Sequence, residues 1–428
     1  MKTITKYRLP GSLILLFLCH INGFTQTSNW THFRGSNLDG ISTETGIPVL
    51  WNDSTNIVWK IPIHGKGWSS PVVYGNQIWL TTAGADGKEM FGVCADLITG
   101  KLIFDMKLFE PDTVFRKHNV NTYATPTPCI EDGFVYLHFG SYGTTCLRTK
   151  DGSKVWTRSD LKCDHVQGPG SSPIIYKDML ILHYEGSDVQ YIVALNKKTG
   201  ETIWKKERPR ECYDPLQPIG KKAYVTPIVI RVNGRDLLIS NGSAVCIAYD
   251  PETGEEVWRI VEGEDSTIAM PIFENGVVFF YTSFVKDSTG EKKVELFAVN
   301  PAGKGNIKET NILWRLQTPT TQLLTPLVKD GLIYTVDTRN TLECLNAKTG
   351  EIVWSKKLKN KYNSSPVYAD GRIYFTSVEG ETLVLKPGKN LEIINENKLH
   401  GEFYATPAIS QKSIILRSSE YLYRIGMR

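Results

Sequence analysis

The sequence predicts an all-β chain of eight four-stranded units that close into a ring. Three observations lead there: an anchor dipeptide that recurs along the chain, a tryptophan strand that follows a fixed turn, and two chain ends that complete each other. Self-similarity at a fixed period outranks any single-element assignment, because units of this kind cannot bury both faces alone.

The anchor is a small or hydroxyl residue followed by proline and a short apolar run. It occurs at Ser70-Pro71, Thr125-Pro126, Ser172-Pro173, Thr226-Pro227, Thr325-Pro326, Ser365-Pro366 and Thr406-Pro407, and Met270-Pro271 fills the remaining slot. A turn and a second β-type run follow. Examples are Gly75-Asn76 before Gln77–Leu80, Asp132-Gly133 before Phe134–Phe139, Asp330-Gly331 before Leu332–Val336 and Asp370-Gly371 before Arg372–Thr376. Such dipeptides between apolar runs are hairpin signals. A third strand then ends in Asp/Asn-x-x-Thr-Gly and leads into an outer strand carrying tryptophan. Asn196 to Gly200 precedes Trp204, Asp250 to Gly254 precedes Trp258, and Asn346 to Gly350 precedes Trp354. Trp156 and Trp314 stand in looser copies, and Phe104 replaces the indole in the first. An indole on the outermost strand can fill the wedge that opens between adjacent units towards the rim.

The ends supply the closure. A tryptophan strand, Asn56 to Pro62 with Trp59, comes before any anchor, and only two strands (Ile414–Arg417 and Tyr421–Ile425) follow the one that begins at Pro407. Together they make one complete unit, so the predicted fold is an eight-bladed β-propeller of four-stranded antiparallel blades, closed by the N-terminal strand completing the last blade. Closure removes the sheet edges that an open array would expose. The unit length of roughly 46 residues suits a propeller blade. The expected division is a signal peptide at 1–25, an N-terminal lead-in segment at 26–55 and the propeller at 56–428.

The Ala-x-Asp/Asn-x-x-Thr-Gly-x-x-x-Trp pattern resembles the docking repeat of pyrroloquinoline quinone (PQQ)-like propellers, which include quinoprotein dehydrogenases and the outer-membrane assembly lipoprotein BamB. The stretch Trp30 to Ser42, with Phe33, Arg34, Gly35, Asp39 and Gly40, resembles the opening segment of secreted PQQ-like repeat proteins. This resemblance implies the fold. It leaves function open between scaffolds and enzymes.

Export is expected from the first 25 residues. Lys2, Lys6 and Arg8 precede the apolar run Leu13–Leu18, and Gly23-Phe24-Thr25 offers a cleavage region. The run is too short to stay as a membrane-spanning helix. No later segment is long and apolar enough to be one. Cys19 follows the bulky Leu18, where a lipid-anchor signal has a small residue, so no lipid anchor is expected. Setting the leader aside removes three of the 49 basic side chains and none of the 45 acidic ones, leaving a nearly neutral chain. Such a balance gives no electrostatic reason to expect nucleic acid as a partner. Among the cysteines, Cys94, Cys146 and Cys344 fall in the slot that Ala194, Ala248 and Ala298 take elsewhere. They therefore read as small core side chains rather than a disulfide framework.

Propeller topology gathers the outer-strand-to-anchor loops at one mouth of the channel. Two of these loops are long, Lys107 to Tyr123 and Lys205 to Tyr224, and long loops on a rigid frame commonly carry function. The residues three before each anchor proline share one height: Trp68, Tyr123, Gly170, Tyr224, Ile268, Leu323, Asn363 and Tyr404. Trp68, Tyr123 and Tyr404 are expected to form an aromatic wall for a ligand or an extended peptide. His118, Asn121, His165 and Gln167, with Tyr224, are the polar and aromatic groups expected to orient it. His64, His118, His165 and His400 precede anchors by similar spacings, and His138 and His183 end second strands at the same mouth. A cluster of them could bind a metal, but loops of this length can splay the side chains apart, so separate exposed or hydrogen-bonding histidines are the expected reading and no metal site is assigned.

These residues favour a non-catalytic binding or scaffold module, located in the periplasm or outside the cell. It would take an envelope or secreted protein partner, or a small ligand, at the channel mouth. The alternative is a quinoprotein dehydrogenase holding PQQ and Ca²⁺, with Asp164, Glu185 and Asp188 as oxygen donors. The adjacent Cys-Cys pair carried by alcohol dehydrogenases of that family is absent from this sequence. A glycan-binding or glycan-processing role is the third reading.

Overall fold

The structure is a computed structural model that describes residues 29–427 except 266, 287–289 and 319–322. The expected leader at 1–25, including Cys19, lies outside the described residues. Eight antiparallel sheets form the ring, each begun by a short inner strand and ended by an outer one. Blade 1 is Val72–Tyr74, Gln77–Ala83, Met90–Asp96 and Leu102–Phe109. Blades 2 to 7 follow in order, with inner strands starting at Cys129, Ile174, Ile228, Ile272, Leu327 and Val367. Blade 8 combines Ala408–Ser410, Ser413–Arg417 and Tyr421–Gly426 with Ile57–Pro62, which pairs antiparallel to the last of these. The ring is closed by the N-terminal strand, as its orphan tryptophan predicts. Among the described residues no helix is long and apolar enough to cross a membrane.

Local chemistry explains the hairpins. Asn233-Gly234, Asn275-Gly276, Asp330-Gly331 and Asp370-Gly371 all have positive φ at both positions, the left-handed geometry that two-residue β-turns require. The Thr-Gly turn has a second purpose. Gly200 sits at φ +76, and an added Cβ would lie 2.7 Å from the Trp156 ring of the preceding blade. Trp156 Nε1 donates to the Lys197 carbonyl of that same turn at 2.8 Å. The latch repeats from Trp59 to Leu97, Trp204 to Pro251, Trp258 to Pro301, Trp314 to Ala347 and Trp354 to Gly388. Each indole thus buries its ring against the next blade while its N–H finds a partner. Between blades 7 and 8 the N-terminal lead-in segment supplies the indole instead: Trp51 stacks on Tyr374 at 6.2 Å, and its backbone N–H donates to Asn397.

Blade 5 carries an insertion whose Gly305–Asn306 segment pairs in parallel beside the outer strand of blade 4, Glu256–Val261. All seven cysteines from Cys94 to Cys344 are unpaired, and six of them are buried. This matches the reading of Cys94, Cys146 and Cys344 as core side chains.

The second blade departs from the expected register. Its inner strand, Cys129–Glu131, starts directly after Pro128, not after Pro126. The tandem Thr125-Pro126-Thr127-Pro128 offers two anchors, and the second is the one seated in the ring.

Candidate functional site

Each anchor residue binds its neighbour around the channel. The Ser70 N–H donates to Thr127 Oγ1 at 2.9 Å, Thr127 N–H to Ser172 Oγ at 3.0 Å, and Ser172 N–H to Thr226 Oγ1 at 2.9 Å. The belt resumes from Met270 N–H to Thr325 Oγ1 at 3.1 Å. It then runs through Ser365, Thr406 and back to Ser70, each at 3.0 Å. Met270 carries no hydroxyl, so the belt is broken only where blade 4 meets blade 5. Seven nearly buried hydroxyls therefore encircle the axis. None of them donates its own proton to a protein acceptor among the described residues.

The lead-in segment closes one end of the channel. It pairs Trp30 with Val73 of blade 1, gives the Thr31 carbonyl to Ile130 of blade 2, and accepts the Ile175 N–H of blade 3 at His32 Nε2. Arg34 then reaches blades 6 and 7. Its buried guanidinium donates to the carbonyls of Thr325, Pro326 and Pro366 and of Asp39, at 2.8 to 3.2 Å. Gly40 is required here, because φ is +79 and an added Cβ would lie 2.7 Å from Arg34 Nη2. Phe33 faces the channel from this end.

Above Phe33 lies a cavity of about 450 Å³. Its walls are the hydroxyl belt and, one level higher, the residues two before each belt position. That upper ring is Trp68, Thr125, Gly170, Tyr224, Ile268, Leu323, Asn363 and Tyr404. Thr125 takes the place expected for Tyr123, the direct consequence of the two-residue shift in blade 2. Trp68 and Tyr404 stack with centroids 4.3 Å apart and planes at 26°, and Trp68 Nε1 is held by the Val120 carbonyl at 3.0 Å.

Six of the eight residues expected at the site line this cavity: Trp68, His118, Asn121, Gln167, Tyr224 and Tyr404. Asn121 serves the frame, since its amide donates to the Gln167 and Pro169 carbonyls and so ties two mouth loops together. The Tyr224 hydroxyl donates to the His165 carbonyl at 2.7 Å. Tyr123 turns away into the contact with Tyr142, with its hydroxyl on the Phe115 carbonyl at 3.2 Å. His165 also turns inward, stacked on Tyr184 and beside the Cys163 thiol. Burial pushes its imidazole down to about 4 and that of His138 to about 3, so both are neutral at physiological pH.

The remaining histidines are dispersed. His64 pairs with Asp105 at 2.9 Å, His400 pairs with Asp53, and His183 contacts Glu185 at 2.6 Å. No group of three His, Cys, Asp or Glu side chains is placed to share a metal ion among the described residues.

The carboxylates considered as calcium donors have other duties. Glu185 is fully buried against Arg208, His183, the Tyr213 hydroxyl and the Ser243 N–H. Asp164 accepts the Val166 N–H and the Ser187 hydroxyl, while Asp188 accepts the Asp164 and Val189 N–H groups. Asp265 is the one carboxylate lining the channel among the described residues, and Lys222 is its partner. This donor set does not fit a calcium ion, which takes six or more oxygen ligands.

The comparisons with known proteins agree with this architecture. The family model described as outer membrane protein assembly factor BamB matches residues 43–211, 188–323 and 292–390. BamB of Yersinia pestis is 22% identical over 278 residues, covering 55% of this chain and 69% of that protein. Quinoprotein ethanol dehydrogenase of Pseudomonas putida is 31% identical over 148 residues, 31% of this chain, and the match spans only 22% of the dehydrogenase. The crystal structure of BamB from Moraxella catarrhalis superposes with a TM-score of 0.58 at 12% identity, covering 86% of this chain and 99% of that one. At that identity the likeness shows the fold alone. The matching family model spans most of the propeller, and the chain belongs to the PQQ-like repeat β-propeller family described by BamB.

Proposed function

We propose that this chain is an exported, non-catalytic binding module that takes a small ligand, or the side chains of a partner, into the open mouth of its channel. The observation that carries this reading is the cavity itself, lined by Phe33 of the lead-in segment and walled by the stacked Trp68–Tyr404 pair. The carboxamides of Gln167 and Asn363 and the Tyr404 hydroxyl line the cavity without a hydrogen bond among the described residues. Concave sites of this size, mostly apolar with a few convergent polar groups, are what small-molecule recognition uses. The relatives named as outer membrane assembly factors support a protein partner in the cell envelope as the alternative occupant of the mouth.

The dehydrogenase reading draws on the quinoprotein relatives, but the calcium donors it needs are committed elsewhere in this chain. For glycan processing, a pair of carboxylates at working separation is required. The channel lining offers Asp265 and no second acid among the described residues.

A ligand-observed NMR screen of aromatic and sugar fragments tests the proposal. At least one fragment is expected to bind the wild-type protein. The Trp68→Ala/Tyr404→Ala double variant is expected to bind it at least about tenfold more weakly, because aromatic stacking and buried ring area are both lost. Equal affinity for the two proteins would mean that the channel is not the binding site.

A further inference from the structure

The seven belt hydroxyls line the channel and meet whatever occupies it. Each already accepts a backbone N–H from the neighbouring blade, and its own proton goes to no protein acceptor among the described residues, so it has a donor to offer the channel. A hydroxyl can act both ways at once. A buried donor without an acceptor is costly, which makes the belt a ring of donors awaiting acceptors from within the channel.

Two buried cations stand directly behind this ring. Arg34 holds the carbonyl of Thr325, a belt residue, and Arg417 holds the carbonyl and hydroxyl of Ser69, the residue before Ser70. All the hydrogen-bond acceptors of both guanidiniums are uncharged, and each leaves its Nε–H without a partner. Neither forms an ion pair with a carboxylate among the described residues. Burial lowers Arg34 to about 10, with the more distant Asp39 carboxylate offsetting part of the shift, and lowers Arg417 to about 9. A buried charge is ordinarily paired, and the channel's own carboxylate, Asp265, is already neutralised by Lys222.

Building on the reading of the channel as a binding pocket, we infer that its ligand is a small organic anion whose oxyanion head enters the hydroxyl belt while its ring or apolar body lies against Trp68 and Tyr404. Hydroxyl donors and the field of Arg34 and Arg417 recognise the head. The stacked pair above recognises the body. Carboxylate and phosphate heads share this chemistry, and the test separates them.

Isothermal titration and thermal shift of the full mature protein with benzoate, phenyl phosphate and the neutral isostere benzamide decide the matter. The expected result is that one of the two anions binds with thermal stabilisation and at least about tenfold more tightly than benzamide. Asn363 lines the upper ring with a free amide, so Asn363→Asp adds a negative charge to the channel without removing a structural contact. This variant should weaken the anion by about tenfold or more and benzamide by much less, so that the preference for the anion over benzamide falls. If benzamide binds as tightly as the anions, the pocket reading stands and the anion inference is overturned. The same holds if only neutral fragments bind the Trp68–Tyr404 wall. Silence from every anion and every fragment overturns the pocket reading as well.

Discussion

Glu185→Ala should destabilise the protein by about 3–5 kcal/mol, because it strands Arg208 as an unpaired buried charge. Both side chains are completely removed from solvent, and the other hydrogen-bond partners of the Arg208 guanidinium among the described residues are Ser240, the Val245 carbonyl and His183. The network joins blades 3 and 4 behind the mouth, where the loop from Arg208 to Lys222 folds over it through Tyr213. Chemical denaturation near neutral pH measures the loss. The isosteric Glu185→Gln variant adds a pH test. Burial by itself would raise the Glu185 carboxyl, but Arg208, with His183 and Tyr213, outweighs it and holds the group below the usual 4.5. A carboxylate depressed in the folded state contributes stability that is fully present above its unfolded pKa, and that contribution is lost as pH falls through the folded value. The gap between wild type and Glu185→Gln should therefore be widest above about pH 5 and shrink steadily below about pH 4. A gap independent of pH would show that the charge does not hold this joint.

Trp258→Ala should cost about 3–5 kcal/mol, the range for deleting a large, fully buried aromatic side chain. Trp258 is completely buried between blades 4 and 5, its N–H is taken by the Pro301 carbonyl, and the Gly305–Asn306 insertion pairs along its strand. Trp354→Ala occupies the same slot between blades 6 and 7 but is only partly buried, so its effect should be clearly smaller. Equal losses at the two positions would contradict the view that burial of the indole, rather than its hydrogen bond, closes each wedge.

The blades were legible because every repeat makes the same physical demands on the same positions. A left-handed turn residue, a glycine under an indole and a small side chain in the third strand each leave a mark in the sequence. The closing strand was legible for the same reason, since Trp59 had no anchor before it. Register in blade 2 was not, because Thr125-Pro126 and Thr127-Pro128 are chemically equivalent until the ring selects the one whose hydroxyl accepts Ser70 N–H. That choice moved Tyr123 out of the wall and put Thr125 in it. The other upper-ring positions, Trp68, Tyr224 and Tyr404 among them, follow from equal spacing on a rigid frame. His165 did not follow, since the tight contact of Gly140 with its ring is set by a neighbouring blade. The hydroxyls before each proline were visible as anchors. Their use as a hydrogen-bonded belt, with Arg34 beneath it, depends on contacts between residues hundreds of positions apart.

On the proposed reading the channel is a binding pocket rather than a quinoprotein redox centre. Titration of the mature protein with PQQ in calcium and in EDTA, followed by absorbance, melting temperature and reduction of an electron-acceptor dye with ethanol, tests this most directly. The predicted result is that calcium changes neither PQQ binding nor the melting temperature, and that no dye is reduced. Saturable one-to-one binding that requires calcium, with thermal stabilisation and alcohol-dependent dye reduction, would contradict it and make the chain an enzyme.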